Sequence, residues 1–228
     1  MNANRMNFVY WLGWSFFRLM YATYFRWRVF HPERVPVEGA VLIASNHASF
    51  LDPPLIGCGL QRQCAFLARE SLFRFRFTRW LLTHWQAVPI DQGGGGSAGM
   101  KRILEALSLG RAVIMFPEGT RTRDGSLLPV RSGVGLLVIK STAPVVPVRV
   151  WGTLAAYGRD VPFPKPVRVM VKYAEPMRFE ALRAEAKTCA KDRLKEIYQQ
   201  VADEIMAAIA KLEPVEDEER RIWSDGPK

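Results

Sequence analysis

The chain has 228 residues, a length that suits one domain with a sizeable core and is short for two. Its formal net charge is +10. A hydrophobic content of 49% with 24% charged residues excludes a disordered chain. The last 16 residues carry six acidic and three basic side chains, so the body holds the positive charge and needs an anionic partner: nucleic acid, a membrane surface or an acidic substrate. Three cysteines without metal-ligand spacing indicate free thiols in a reducing compartment.

The N-terminal segment, residues 8–25, consists mainly of aromatic and aliphatic side chains with Arg18 near its middle. Read at 3.6 residues per turn, its polar residues form one narrow stripe on a mostly apolar surface. An isolated spanning helix tolerates a central arginine poorly, so the pattern predicts a helix in the membrane interface, with a single span left open. No small-residue cleavage site follows, which argues against a signal peptide.

Residues 62–85 repeat this composition, with five arginines interleaved among phenylalanine and tryptophan. Such a mixture suits lipid headgroups or nucleic acid, and tryptophan favours the headgroup region of a membrane. The sequence predicts a second lipid-facing segment here. An ordinary amphipathic helix packed on the core is the alternative.

Strand and helix patterns alternate along the rest of the chain. The predicted strands are VEGAVLIA, WQAVPID, RAVIMF, APVVPVRVWG and VRVMVKYAE, and the predicted helices are AGMKRILEALSLG, GVGLLVIKST and residues 180–212. This alternation indicates an α/β sheet domain. The expected organisation is an N-terminal helical segment (1–36), one domain (37–212) and an acidic, disordered tail (213–228).

The glycine-rich stretch GGGGSAG, residues 93–99, must be compared with the glycine motifs of nucleotide-binding proteins and of hydrolases. It lacks the Lys-Ser/Thr pair of a P-loop and the G-x-G-x-x-G spacing of dinucleotide-binding folds. Its G-x-S-x-G pattern matches a hydrolase nucleophile elbow, but all three histidines precede Ser97, and an α/β-hydrolase has its histidine after the serine. Ser97 is therefore expected to cap a helix.

Two polar loops that follow predicted strands hold the strongest chemical signals. SNHASFLDPP, residues 45–54, places His47 and Asp52 five positions apart at a strand end, where loops commonly carry chemistry. FPEGTRTRDG, residues 116–125, offers a carboxylate, backbone N–H groups and a guanidinium, which suits an anionic substrate.

NHASFLD resembles the N-H-x-x-x-x-D block, and FPEGTRTRDG the F-P-E-G-T-R block, of the 1-acyl-sn-glycerol-3-phosphate (lysophosphatidate) acyltransferase family. APVVPVRVWG resembles the Pro-rich block that follows, and order and spacing hold over residues 37–152. AVPIDQ departs from the family's usual Ile-Asp-Arg, because Gln92 replaces the arginine. The resemblance implies a single glycerolipid-acyltransferase domain, with a mixed central sheet flanked by helices, that transfers a fatty acyl group from a thioester to lysophosphatidate and gives phosphatidate.

For this reaction His47 is the candidate general base, because a glycerol hydroxyl must lose its proton as it attacks a thioester. A carboxylate on the other ring nitrogen fixes the tautomer and stabilises the imidazolium, and Asp52 is the candidate. On one straight helix the two side chains would point about 140° apart, so we expect a turn around residues 49–51. No serine or cysteine nucleophile and no metal is required.

The resemblance also suggests how the acceptor is bound. Arg121 and Arg69 would hold its phosphate, and Glu118 and Gly119 would position its glycerol end. The full set of predicted substrate-binding residues is Asn46, Arg69, Glu118, Gly119, Thr120 and Arg121. Arg123 would add positive charge. Gln92 leaves the headgroup open, so another lysolipid or glycerol-3-phosphate is an alternative acceptor.

The expected co-substrate is acyl-coenzyme A or acyl-acyl carrier protein, with no bound cofactor. The expected location is the cytoplasmic face of a membrane, where lysophospholipid enters from lipid, and no nucleic acid partner is expected. A non-catalytic basic protein that binds lipid or nucleic acid is the remaining alternative, but such a protein has no use for a histidine facing an aspartate.

Overall fold

A seven-stranded sheet forms the centre of the computed structural model, which describes residues 5–90 and 97–214. The strands are β1 (Arg28–Phe30), β2 (Val41–Ser45), β3 (Cys64–Arg69), β4 (Ala87–Ile90), β5 (Ala112–Met115), β6 (Val145–Trp151) and β7 (Met170–Tyr173). Their order across the sheet is β1-β7-β6-β2-β5-β3-β4, and every neighbouring pair is parallel except β6 and β7. The predicted mixed sheet is confirmed.

Helices cover both faces of this sheet. In the described residues they are α1 (Phe8–Thr23), α2 (Asp52–Cys58), α3 (Arg76–His84), α4 (Ser97–Ser108), α5 (Gly133–Lys140), α6 (Thr153–Tyr157), α7 (Glu180–Glu185) and α8 (Lys191–Ala210). The helix predicted over residues 180–212 is thus divided into two. α1 begins where the side chain of Asn7 accepts a hydrogen bond from the N–H of Tyr10.

The core has two layers, one on each face of the sheet. α1 and α2 cover one face with buried side chains that include Tyr21 and Leu55. α4, α5 and α8 cover the other face with side chains that include Ile103, Leu137 and Ile205. Burial on both faces explains why the central strands read as continuous apolar runs in the sequence.

The prediction of a lipid-facing segment over residues 62–85 is wrong for its first part. Arg62 is buried, and its guanidinium donates hydrogen bonds to the carbonyl oxygens of Pro36, Gly39 and Gly110. β3 follows directly and lies between β5 and β4. The arginine therefore donates to backbone oxygens inside the fold. Of residues 62–85, only those from the end of β3 onwards, including α3, reach the surface.

The N-terminal segment shares the core of the domain that follows it. Tyr21 and Phe25 are completely buried against that core, and β1, which the sequence reading missed, pairs with β7. The predicted disordered tail lies almost wholly in residues 215–228, outside the described residues.

Candidate active site

The predicted motifs meet at the carboxyl ends of the parallel strands β2, β3 and β5. His47 follows β2 by two residues, Arg69 is the last residue of β3, and Arg121 follows β5 by six residues. In open α/β sheets, ligands commonly bind outside this edge. The order of the strands thus gathers side chains that are far apart in the sequence.

His47 and Asp52 are in direct contact. Nδ1 of His47 lies 2.8 Å from Oδ2 of Asp52, and the histidine side chain is 18% exposed whereas the aspartate is completely buried. The same Oδ2 accepts the backbone N–H groups of Ala48 and Ser49, each at 2.7 Å. The predicted turn is present, because the N–H of Asp52 donates to the carbonyl of Ser49 and α2 begins at Asp52.

This contact fixes how the imidazole can react. A carboxylate that accepts from Nδ1 places the proton on that nitrogen and leaves the lone pair on Nε2. Nε2 makes no hydrogen bond to any described residue. The ring also stacks on Phe116, with ring centroids 3.8 Å apart and planes 15° apart. The imidazole is therefore held in one plane with a basic nitrogen available.

Glu118 links the two motif loops. One carboxylate oxygen accepts the N–H of His47 at 2.9 Å, and the other accepts the N–H of Leu128 at 2.9 Å. The N–H of Thr122 donates in turn to the carbonyl of His47 at 2.8 Å. Burial raises the pKa of Glu118, and the two backbone donors oppose that rise. The carboxylate supports the His47 backbone, and its contact with the acceptor stays a prediction.

Asn46 is likewise occupied by backbone groups. Its side-chain nitrogen donates to the carbonyl of Val150 at 3.1 Å, and its side-chain oxygen accepts the N–H of Val150 at 2.8 Å. The amide thereby continues the pairing of β2 with β6 past the end of β2. A direct contact with substrate would require Asn46 to give up these bonds.

Gly119 makes the turn that carries the second motif. Its φ is +71°, and a Cβ atom there would lie 2.8 Å from Nε of Arg131, so the position favours glycine. The N–H of Gly119 donates to the carbonyl of Phe116 at 3.0 Å. The next residue, Thr120, is exposed, and its hydroxyl accepts a hydrogen bond from Arg159 at 3.2 Å.

Arg121 lies over an aromatic ring of the first motif. Its guanidinium carbon is 3.6 Å from the centroid of Phe50, a side chain that is 63% exposed. Nη1 of Arg121 is buried and has no hydrogen-bond partner among the described residues. Partial burial lowers the pKa of Arg121, and the positive charges of Arg159 and Arg69 lower it further.

Sequence reasoning missed three residues of this site. Phe50 and Phe116 lie within the two motifs. An aromatic residue two positions before Asp52 and before Glu118 could have been noticed in the sequence. Arg159 gave no signal, because only the fold brings it next to Arg121. Gln92, the position that departs from the family pattern, lies outside the described residues.

A family model described as Acyltransferase matches residues 26–151 of this chain. This match covers more than half of the chain and includes both motif loops, so the chain belongs to the Acyltransferase family. The family resemblance inferred from the motifs is confirmed.

Relatives with established names agree with this assignment. The chain is 29% identical over 126 residues to a 1-acyl-sn-glycerol-3-phosphate acyltransferase of Bacillus subtilis (strain 168). The aligned region covers 55% of this chain and 62% of that protein. It is 33% identical over 111 residues to the chloroplastic 1-acyl-sn-glycerol-3-phosphate acyltransferase BAT2 of Brassica napus. This aligned region covers 48% of this chain and 32% of that protein. The chain thus spans between about a third and three fifths of these relatives.

A solved structure shares the fold. The crystal structure of the 1-acyl-sn-glycerophosphate (LPA) acyltransferase PlsC from Thermotoga maritima matches with a TM-score of 0.68 and 24% identity. The match covers 90% of this chain and 81% of that one. At this identity the likeness establishes the fold alone, and it confirms the predicted α/β class.

Proposed function

We propose that the protein is an O-acyltransferase that moves a fatty acyl group from a thioester to the free hydroxyl of lysophosphatidate, giving phosphatidate in phospholipid synthesis. The observation that carries the proposal is the 2.8 Å contact between Nδ1 of His47 and buried Asp52 at the ligand-binding edge of the sheet. Arg121 in the adjoining loop suits an anionic acceptor. The names of the relatives support the same acceptor.

In the proposed reaction the acceptor hydroxyl attacks the carbonyl carbon of the thioester while Nε2 of His47 takes the hydroxyl proton. The tetrahedral intermediate then expels the thiolate, which receives this proton, so that an ester C–O bond replaces the C–S bond. Asp52 stabilises the imidazolium that exists between the two steps. Both substrates need only be held close together, since the protein forms no covalent bond to the acyl group.

Direct attack by the acceptor agrees with the state of the cysteines. Cys58 and Cys64 are buried, and burial raises the pKa of each thiol to about 12. The thiolate is the nucleophilic form, so neither side chain is prepared to accept an acyl group. Cys189 packs against the core on the sheet face opposite α1 and α2.

The proposed donor is acyl-coenzyme A or an acyl-acyl carrier protein, used as co-substrate and not as a bound cofactor. Another lysolipid, or glycerol-3-phosphate, remains the alternative acceptor, since the side chain at Gln92 has no described position. Mass spectrometry of the products from a panel of lysolipids, each with both kinds of donor, tests all of these choices. Binding of lysolipid without any release of thiol from the donor would favour a non-catalytic lipid-binding protein.

We further propose that the protein acts at the cytoplasmic face of a membrane and attaches through α1. Two polar side chains anchor α1 to the rest of the protein: Asn7 at its N-cap donates to Gln63 and to the carbonyl of His84, and Arg18 donates to the carbonyl of Cys58. The opposite surface, here called the α1 outer face, consists of Phe8 (74% exposed), Leu12 (54%), Phe16 (62%) and Leu19 (65%). Large exposed apolar side chains at helical spacing suit the lipid interface.

α1 also connects this surface to the catalytic loop. The hydroxyl of Tyr21 donates to the carbonyl of Leu51, at 2.8 Å, directly before Asp52. Within residues 5–90 and 97–214, no helix has the length and hydropathy that crossing a bilayer requires.

Arg121→Ala should lower kcat/KM for lysophosphatidate by about 10- to 100-fold, because a charge-assisted contact to phosphate contributes roughly 1.5–3 kcal/mol. The measurement is a steady-state comparison of lysophosphatidate with monoacylglycerol, which has no phosphate. The loss on monoacylglycerol should stay within about 2-fold if the contact is specific. Equal losses on the two acceptors would show that Arg121 supports the loop and not the phosphate.

Replacing the α1 outer face by glutamine (Phe8→Gln, Leu12→Gln, Phe16→Gln, Leu19→Gln) should lower partition into anionic liposomes by at least about 100-fold, since each side chain buried in lipid contributes on the order of 1 kcal/mol. Flotation at high salt measures the apolar part of this attachment. Leu109→Gln, at an exposed leucine beyond α4, is the matched control and should float like the parent protein. Deleting the whole segment is a poorer test, because it removes Tyr21 and Phe25 from the core. Unchanged flotation of the quadruple variant would place the attachment elsewhere.

A further inference from the structure

Arg159 lies at the rim of the candidate site although it belongs to neither motif. It follows α6 by two residues, in the connection from α6 to β7. Its Nη2 donates to the hydroxyl of Thr120 and to the carbonyl of Arg121, both at 3.2 Å. Two contacts to neighbouring residues of the FPEGTR segment fix the position of an exposed arginine that would otherwise be free to move.

The charge of Arg121 lies in the field of two other arginines. Arg159 and Arg69 both act on the charge of Arg121, and after partial burial they are the largest influences that lower its pKa. Asp52 and Tyr157 oppose this effect less strongly. In the described part of the chain, none of the three arginines forms an ion pair with a carboxylate. Such a group of like charges is unfavourable unless an anion binds among them.

Several donors of this cluster have no hydrogen-bond partner in the described part of the chain. Nη1 of Arg121 is buried and has no partner among the described residues, and Nε and Nη1 of Arg159 make no hydrogen bond there. A buried donor without a partner costs free energy that a ligand oxygen can recover. A phosphate monoester carries about 1.5 to 2 negative charges at neutral pH, so one guanidinium alone leaves it undercompensated.

We propose that Arg159 is a specificity-determining residue that binds the phosphate monoester of the acceptor together with Arg121. This inference rests on the proposed function and adds a residue outside both motifs to the phosphate site. The planar fork of Arg159 supplies two further donors, Nε and Nη1, next to Arg121. They come from a segment that only the fold brings to this place. The anion is assigned to the acceptor, and a phosphate of coenzyme A is the competing source.

Equilibrium binding tests the proposal without relying on turnover. The full chain in detergent is titrated calorimetrically with 1-hexanoylglycerol 3-phosphate, with 1-hexanoylglycerol and with coenzyme A. Arg159→Ala should weaken binding of the phosphate ester about 10-fold, and Arg159→Lys should weaken it less, because it keeps the charge and loses the fork. Binding of 1-hexanoylglycerol should stay the same in both variants.

Lys165→Ala is the matched control, because it removes one positive charge from the same connection without touching the FPEGTR segment. It should leave all three affinities within about 2-fold, since an exposed charge at a distance is screened. Equal weakening by Lys165→Ala would show a general effect of charge and overturn the role of Arg159.

The remaining outcomes separate this inference from the proposed function. If the parent protein prefers the phosphate ester and Arg159→Ala keeps that preference, the inference fails and the acceptor assignment stands. If Arg159→Ala weakens coenzyme A alone, the anion belongs to the donor and the inference also fails. If the parent protein binds both hexanoyl compounds equally, the phosphate acceptor itself is overturned, and Arg159 with it.

Discussion

His47→Ala should lower kcat/KM for acyl transfer by about 10²–10⁴-fold, which is the usual contribution of a general base. The variant loses the nitrogen that takes the acceptor proton. It keeps the loop, because the N–H of His47 donates to Glu118 and its carbonyl accepts from Thr122 through backbone atoms that alanine also has. The rate is measured as lysophosphatidate-dependent release of thiol from acyl-coenzyme A.

His84→Ala is the control for this experiment. His84 is the last residue of α3, and its ring Nδ1 donates a hydrogen bond to the carbonyl of Trp80, within the same helix. The control variant should retain transfer within about 2-fold, since its imidazole plays no part in the proton transfer. Thermal unfolding of both variants and liposome binding should resemble those of the parent protein. A His47→Ala rate close to that of the parent would end the proposed mechanism.

The sequence predicted the two motif loops better than it predicted the sheet around them. β2 and β5 are apolar runs that end in polar motifs, so both their existence and the position of His47 could be read directly. β3 was hidden, because CAFLAR runs into further arginines and aromatics without a turn signal. β1 has three residues and depends on pairing with β7, a contact between distant segments that no local pattern records.

The orientation of α1 shows a second limit of sequence patterns. Periodicity identifies a polar stripe along this helix, but it cannot say whether such a stripe faces water or protein. In the structure Arg18 donates to the carbonyl of Cys58 at the end of α2 and lies near the rings of Trp14 and Trp27, although the residue itself stays exposed, so only part of the stripe contacts protein. The apolar surface of α1 is divided: Tyr21 is buried in the core, whereas the α1 outer face is exposed, which strengthens the case for a lipid partner.

Asp52→Asn should lower kcat/KM by about 10²–10³-fold, through the loss of negative charge beside the imidazolium. The geometry argues against a change of tautomer as the main cause. Oδ2 accepts the N–H groups of Ala48 and Ser49 as well as Nδ1 of His47, so an asparagine amide group in that place would confront two backbone donors. The asparagine oxygen should therefore take this place, and Nδ1 should keep its proton.

Nitrogen NMR of histidine-labelled protein checks this, because it shows which ring nitrogen carries the proton. Asp52→Ala is the comparison variant: it removes the acceptor for both backbone N–H groups as well as the charge, and a buried donor left without a partner costs about 1–3 kcal/mol. Chemical denaturation should therefore find Asp52→Ala clearly less stable than Asp52→Asn. If Asp52→Asn instead shifts the proton to Nε2, orientation of the ring is the main task of Asp52. If the variant transfers acyl groups at the parent rate, the carboxylate has no role in the reaction, and its contact with His47 only stabilises the loop.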